Sequence, residues 1–145
     1  MRPGFGSALS LRGAVHFAAG DFPAALADYQ AAHGLEPDDP GVLNSLAWLR
    51  ATCPMDGLRD AGRAVADAMR ACELTGHAVP GFVDTLAAAY AEAGRFADAV
   101  RWQEKVVDMV PADQQAEYQA RLDLYRSGQP YREPARPSAA NPERQ

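Results

Sequence analysis

The sequence predicts an all-α chain built from stacked helix-turn-helix hairpins. Two observations carry that expectation. The stretch from Gly20 to Pro37 returns at Gly94 to Pro111: Gly20-Asp21-Phe22 matches Gly94-Arg95-Phe96, and Ala25, Tyr29 and Ala32 match Ala99, Gln103 and Val106. The copies lie 74 residues apart, which fits two periods of about 34 with a short insertion. Alanine also supplies about a fifth of the 145 residues, a composition suited to helices that approach closely through small side chains.

Seven helices are expected in chain order. The first spans about 7–19 and the second 23–34. Ala25, Tyr29 and Ala32 fall at the four- and three-residue spacings of one helical face. Gly20 suits the turn between them because glycine tolerates positive φ, and Pro23 fits a first helical turn, where no amide hydrogen is needed. The third helix spans 40–51, and Pro37 separates it from the preceding hairpin. Cys53-Pro54-Met55-Asp56-Gly57 then reads as a turn four or five residues longer than its counterparts. The fourth helix is placed at 58–75, with Asp56 and Asp60 as alternative caps. The fifth spans 79–93, with Leu86, Ala89, Tyr90 and Ala93 on one face, and the sixth 96–109. Pro111 opens a seventh at 111–126. The segment after Ser127 holds four prolines, and from Tyr131 onward it reads as an extended tail packed only over its first few residues, with Tyr125 and Tyr131 as ties to the last helix.

Charge and composition exclude several functions. With 14 basic and 19 acidic residues the chain is net −5, which argues against a nucleic-acid partner. No run approaches 18 apolar residues, so no membrane partner is expected. No signal peptide is evident at the start, which makes the cytoplasm the default compartment. Cys53 and Cys72 are too few for a disulfide framework, and His16, His33 and His77 are not grouped with them at zinc-ligand spacing. Cys53 reads as a structural residue of its turn and Cys72 as a small core hydrophobe. No phosphate loop, dinucleotide fingerprint, calcium loop or nucleophile turn is present, so neither cofactor nor metal is expected and the chain reads as a non-enzyme. The mixed charges Arg59, Asp60, Arg63, Asp67, Arg70 and Glu73 read as the solvated face of the fourth helix.

The repeating units resemble the tetratricopeptide repeat. The resemblance rests on Leu9, Gly13, Gly20, Phe22, Ala25, Tyr29, Ala32 and Pro37 in the first unit. Leu43, Leu46, Ala47, Ala64, Ala68 and Ala71 carry it in the second, and Val83, Leu86, Ala87, Tyr90, Gly94, Phe96, Ala99, Val106 and Pro111 in the third. It also extends to bacterial repeat proteins with an Asn-x-Leu-Ala-Trp segment (Asn44 to Trp48), a Cys-Pro turn, an Asp-Thr-Leu-Ala segment (Asp84 to Ala87) and a Pro-Tyr-Arg-Glu ending (Pro130 to Glu133). Arg12, His16 and Gln103 depart from the pattern at positions where apolar or aromatic residues are common. The resemblance implies a right-handed helical solenoid: repeats at 6–39, 40–77 and 78–111, a closing helix at 112–127 and a Pro-rich tail at 128–145.

It further implies that the first helix of each hairpin lines a concave face. On that mapping Phe17, Asn44, Trp48, Asp84 and Ala88 form a candidate groove for a protein or peptide partner, either an apolar helix or an extended segment. Phe17 and Trp48 would be its anchors. The competing reading makes Asn44 and Asp84 local braces and Trp48 a core residue. The positions that would clamp a terminal carboxylate, Ser10, Ala14, Ser45, Gly81 and Thr85, hold no basic or asparagine side chain, so that specificity is not expected. Self-association through Phe5, Leu9 and Leu11 is the alternative function. A remote third reading is an enzyme in which His16 converges with carboxylates in an enclosed pocket.

Overall fold

The structure is a computed structural model and describes residues 4–135. Its regular elements there are all helical: α1 (Phe5–Ala18), α2 (Phe22–Leu35), α3 (Pro40–Thr52), α4 (Ala61–Leu74), α5 (Pro80–Glu92), α6 (Phe96–Met109) and α7 (Gln115–Arg126). Single 3-10 turns at Asp56–Leu58 and Ala112–Gln114 precede α4 and α7. These turns account for the late starts of the two helices relative to the expected 58 and 111. Asp60 decides the start of α4, because its side chain accepts the backbone N–H of Arg63. Asp21 and Asp39 cap α2 and α3 in the same way, through the N–H groups of Ala24 and Val42.

The hairpin turns close on a shared geometry. Beyond α1, Gly20 takes φ 82° and its N–H donates to Phe17 O, while Asp21 N–H donates to His16 O. Gly94 beyond α5 repeats the arrangement with Ala91 O and Tyr90 O. The left-handed residue reverses the chain and satisfies carbonyls that the helix end leaves open. The same chemistry at both sites explains why the two sequence copies match at their glycines.

The helices pair as α1 with α2, α3 with α4 and α5 with α6. Successive pairs then meet through α2 on α3, through α4 and α3 on α5, and through α6 on α7. This is an all-α helix-hairpin architecture with repeated paired-helix contacts. Small residues set the spacing. A Cβ on Gly13 of α1 would lie 2.7 Å from the Tyr29 ring of α2, so this crossing has no room for a side chain.

Two apolar clusters share α3. Leu46 and Leu49 of α3 join Phe22, Ala25, Tyr29 and Ala32 of α2. Ala47 and Ala51 of α3 join Ala64 and Ala68 of α4 and an almost continuous run of α5. Every residue of α5 from Val83 to Ala91 is buried, which makes it the central helix. Phe22 fills the junction of the first and second pairs, and Phe96 packs against the second cluster. The first pair is the less firmly held, since α1 barely meets α3.

The residues that break the repeat pattern have partners in neighbouring helices. Arg12 donates through Nε and Nη2 to both carboxylate oxygens of Asp28, at 2.8 and 2.7 Å. That hydrogen bond holds the Asp28 carboxyl below its ordinary range. His16 Nε2 lies 3.7 Å from the same carboxylate. Arg59 lies in the enlarged turn rather than on α4, and its side chain is almost covered. It donates to Cys53 O at 2.7 Å and to Glu92 of α5 at 3.0 Å, and it also pairs with Asp56. The extra residues of this turn therefore brace α5. Arg63 and Arg70 remain on the surface, as expected of a solvated face.

Candidate functional site

The first helices of the hairpins carry the site, together with α7 and the chain beyond it. At the end of α7, Gly128 takes φ 72°. Its N–H and that of Gln129 donate to Tyr125 O and Leu124 O, the same closure as in the hairpin turns. Pro130 cannot continue a helix, and Pro130 and Pro134 bias Gln129 and Glu133 toward extended backbone. The chain so directed returns to α3, some eighty residues earlier in sequence.

Residues 131–133 then dock. The Tyr131 ring lies 5.7 Å from the Trp48 ring, tilted by 39°. Trp48 Nε1 donates to Glu133 Oε1 at 3.0 Å. Glu133 N–H donates to Thr52 O at 2.8 Å, satisfying a carbonyl in the last turn of α3. Arg132 Nη2 pairs with both oxygens of Glu92, at 3.1 and 3.2 Å. Glu92 therefore links the enlarged turn, through Arg59, with the tail, through Arg132.

Beneath the tail is a buried ion pair. Arg121 of α7 donates through Nε and Nη2 to the two oxygens of Asp84 on α5, each at 3.0 Å. Both residues are only 5% exposed. Gln103 of α6 adds Nε2 to Asp84 Oδ1 at 3.0 Å and also donates to Tyr118 O. This explains a polar residue at a fully buried position of α6. The Arg121 guanidinium lies 5.6 Å from the Trp48 ring, 5.2 Å from Tyr118 and 5.3 Å from Tyr131. Burial pushes the Asp84 carboxyl above its ordinary value, and Arg121 and Gln103 offset only part of that. Burial likewise pushes the Tyr125 phenol up, reinforced by Asp84. The Tyr125 hydroxyl has no hydrogen-bond partner among the described residues.

At the other end of the same helix layer, an open cavity of about 380 Å³ lies between α1 and α3. Ser7, Ser10 and Ala14 form its α1 wall, and Asp39, Gly41 and Ser45 its α3 wall. It is shallow and mixed in polarity, with no cation on its walls.

A family model described as Tetratricopeptide repeat matches residues 84–110. The match begins at Asp84 inside α5 and ends just past α6, so it covers most of the third hairpin and no other. No curated protein matches the chain.

The five candidate groove residues occupy different environments. Trp48 is half-buried under the tail, and Asp84 is the acid of the buried pair. Ala88 is buried in the second apolar cluster. Phe17 meets Phe22 edge to face at 5.2 Å, within the first pair. Asn44 is half-buried on α3, and its Oδ1 has no hydrogen-bond partner among the described residues. Trp48 and Asp84 are brought together through Arg121. Sequence reasoning missed Arg121, Gln103, Thr52 and Glu92. Gln103 alone left a signal, as a polar residue at a position that usually holds an aromatic one.

Among the described residues no group of three or more His, Cys, Asp or Glu is arranged to hold a metal ion. None of their helices is long and apolar enough to cross a membrane. His16 meets Asp28 at a surface where Arg12 already occupies the carboxylate, rather than in an enclosed pocket. The chain is a small all-α helical domain without a catalytic cluster among those residues.

The thiols are both fully buried. Burial raises the Cys72 thiol to about 11, with Glu73 adding to the shift, and burial also raises Cys53. In the folded protein at pH 7.4, neither should react with an aromatic disulfide reagent over minutes, whereas both should react at once in denaturant. Rapid labelling of one thiol in the native protein would show that its segment opens.

Proposed function

We propose that the chain is a non-enzymatic protein- or peptide-binding scaffold that takes an extended segment along the face lined by the first helices of its hairpins. One observation carries the reading. Residues 131–133 of the chain itself meet α3 through a tilted ring contact with Trp48, an indole hydrogen bond and the helix-terminal carbonyl of Thr52. Those groups recognise any extended chain with a suitable aromatic and acidic side chain. The cavity between α1 and α3 continues the face toward the other end and gives a longer ligand room to run on. On this reading Trp48 is the anchor, and Phe17 supports the α1 wall through Phe22 rather than touching the ligand.

Panning a random peptide library on the immobilised full chain tests the reading. Selected peptides should bind saturably. Ala14→Trp, which fills the cavity from an exposed position on α1, should weaken those that run along it at least tenfold with helicity unchanged. Selected peptides that bind Ala14→Trp and Trp48→Ala as tightly as the wild type, with all variants folded, would refute it.

A specific observation favours self-association as a second reading. Phe5, Leu11 and Val15 of α1 are 54%, 69% and 61% exposed, so the first helix presents apolar surface at the end of the stack. Light scattering across a concentration series would show a mass above one protomer if that surface pairs.

A further inference from the structure

We propose that residues 130–133 are a built-in occupant of the binding face, and that the external ligand they compete with is an extended segment carrying an aromatic, a cationic and an acidic residue in succession. The inference rests on the reading above and adds the ligand's chemistry and a means of regulation.

The ligand pattern follows from what the face offers each tail residue. Trp48 offers a ring face to Tyr131 and an indole N–H to the Glu133 carboxylate. In an extended chain, side chains two apart share a side. The aromatic and the acid can therefore both reach Trp48, while the residue between them turns elsewhere. Here that residue is Arg132, which finds Glu92 on α5. Thr52 O accepts a backbone N–H and so sets the register without regard to sequence. The guanidinium of Arg121 lies behind the site against both rings, and its Nε and Nη2 are engaged by Asp84. It thus stiffens the platform, and the Trp48 indole supplies the hydrogen bond to the incoming acid.

Displacement follows from the way the tail is held. It is joined to the helices through a small set of separate contacts at one end of α3, and the Arg132 side chain is 45% exposed. Tyr131 packs on the edge of the second apolar cluster, while the core of that cluster is built from α3 to α7 without it, so the tail can leave with the helix pairs still closed. Besides these contacts, the tail is tethered directly to α7. A tether of this length gives a local concentration on the order of millimolar. An external segment with the same contacts must overcome that, and its apparent affinity falls by the fraction of time the face is free.

The test uses the full chain and a capped synthetic peptide of residues 129–135. In the double variant Tyr131→Ala, Glu133→Ala the tail loses its ring contact and its indole hydrogen bond and seats far less often. Calorimetry should show the peptide binding this variant at least tenfold more tightly than the wild type, with one site per chain. A peptide with alanine in place of its tyrosine should not bind. Equal affinity for the two chains, or no binding to a folded double variant, would overturn the proposal. Should the double variant unfold, wild-type chain at millimolar peptide gives the second readout: the Glu133 amide should exchange faster with solvent and the Trp48 indole resonance should shift. No change in either would also overturn it. Library peptides that need Trp48 while the tail peptide fails would leave the binding face standing and remove only the built-in competitor.

Discussion

Replacing Arg121 with methionine is expected to lower stability by about 3–5 kcal/mol, the usual cost of removing one partner of a buried ion pair. Arg121 and Asp84 are both nearly inaccessible and meet through two hydrogen bonds. Methionine fills part of the volume but leaves the Asp84 carboxylate facing only Gln103 Nε2. The sign of the pH effect follows. Burial already raises Asp84 in the folded chain, and without Arg121 it rises further. The folded variant then binds a proton that the unfolded chain has released, so its stability relative to wild type improves as pH falls through the raised value. Urea titrations of both proteins at pH 7.5 and pH 5 should show the deficit shrinking at the lower pH. The paired change Asp84→Leu, Arg121→Met removes both charges and should recover most of the loss. A single variant as stable as the wild type at pH 7.5 would mean that the pair is solvated.

Leu46→Ala is expected to cost about 2–5 kcal/mol, the range for emptying a fully buried leucine site. Leu46 is wholly inaccessible and packs with Phe22, Ala25 and Tyr29 where the first helix pair meets α3. In a stack stabilised by neighbour contacts, damage at one junction weakens mainly the units it joins. The first pair depends on this junction because α1 adds little contact of its own with α3. Amide exchange should therefore accelerate over α1 and α2, with much less change over α5 and α6. Uniform acceleration along the chain would show a single cooperative unit.

The helix pairs were legible because their signals are local. The displaced copy from Gly20 to Pro37 and Gly94 to Pro111 marks two turns and two second helices, and glycine at φ 82° and 77° explains why it recurs. The start of α4 was less legible, since Asp56 and Asp60 are both competent caps and only the 3-10 turn separates their roles. Arg59 was misplaced for the same reason: a charge just before a capping aspartate has the spacing of a helical face.

Trp48 and Asp84 were singled out from the sequence as groove residues, but the partners that surround them in the structure were not. Arg121 reaches Asp84 across 37 residues, and Trp48 reaches Glu133 across 85. No periodicity encodes such contacts. Arg12 and Gln103 stood out as departures, but the carboxylates that explain them lie on other helices. The tail was expected to pack only at its beginning, tied to the last helix. It reaches α3 and α5 as well, because Gly128 and the flanking prolines aim it across the stack. The part of the expected tail at 136–145 lies outside the described residues.

Amide hydrogen exchange on the full chain, with and without a saturating library-selected peptide, tests the central claim most directly. The account predicts new protection along α1 and α3 around residues 7–14 and 41–52, with the outer helices α2, α4 and α6 unchanged. Protection confined to those outer helices would contradict it.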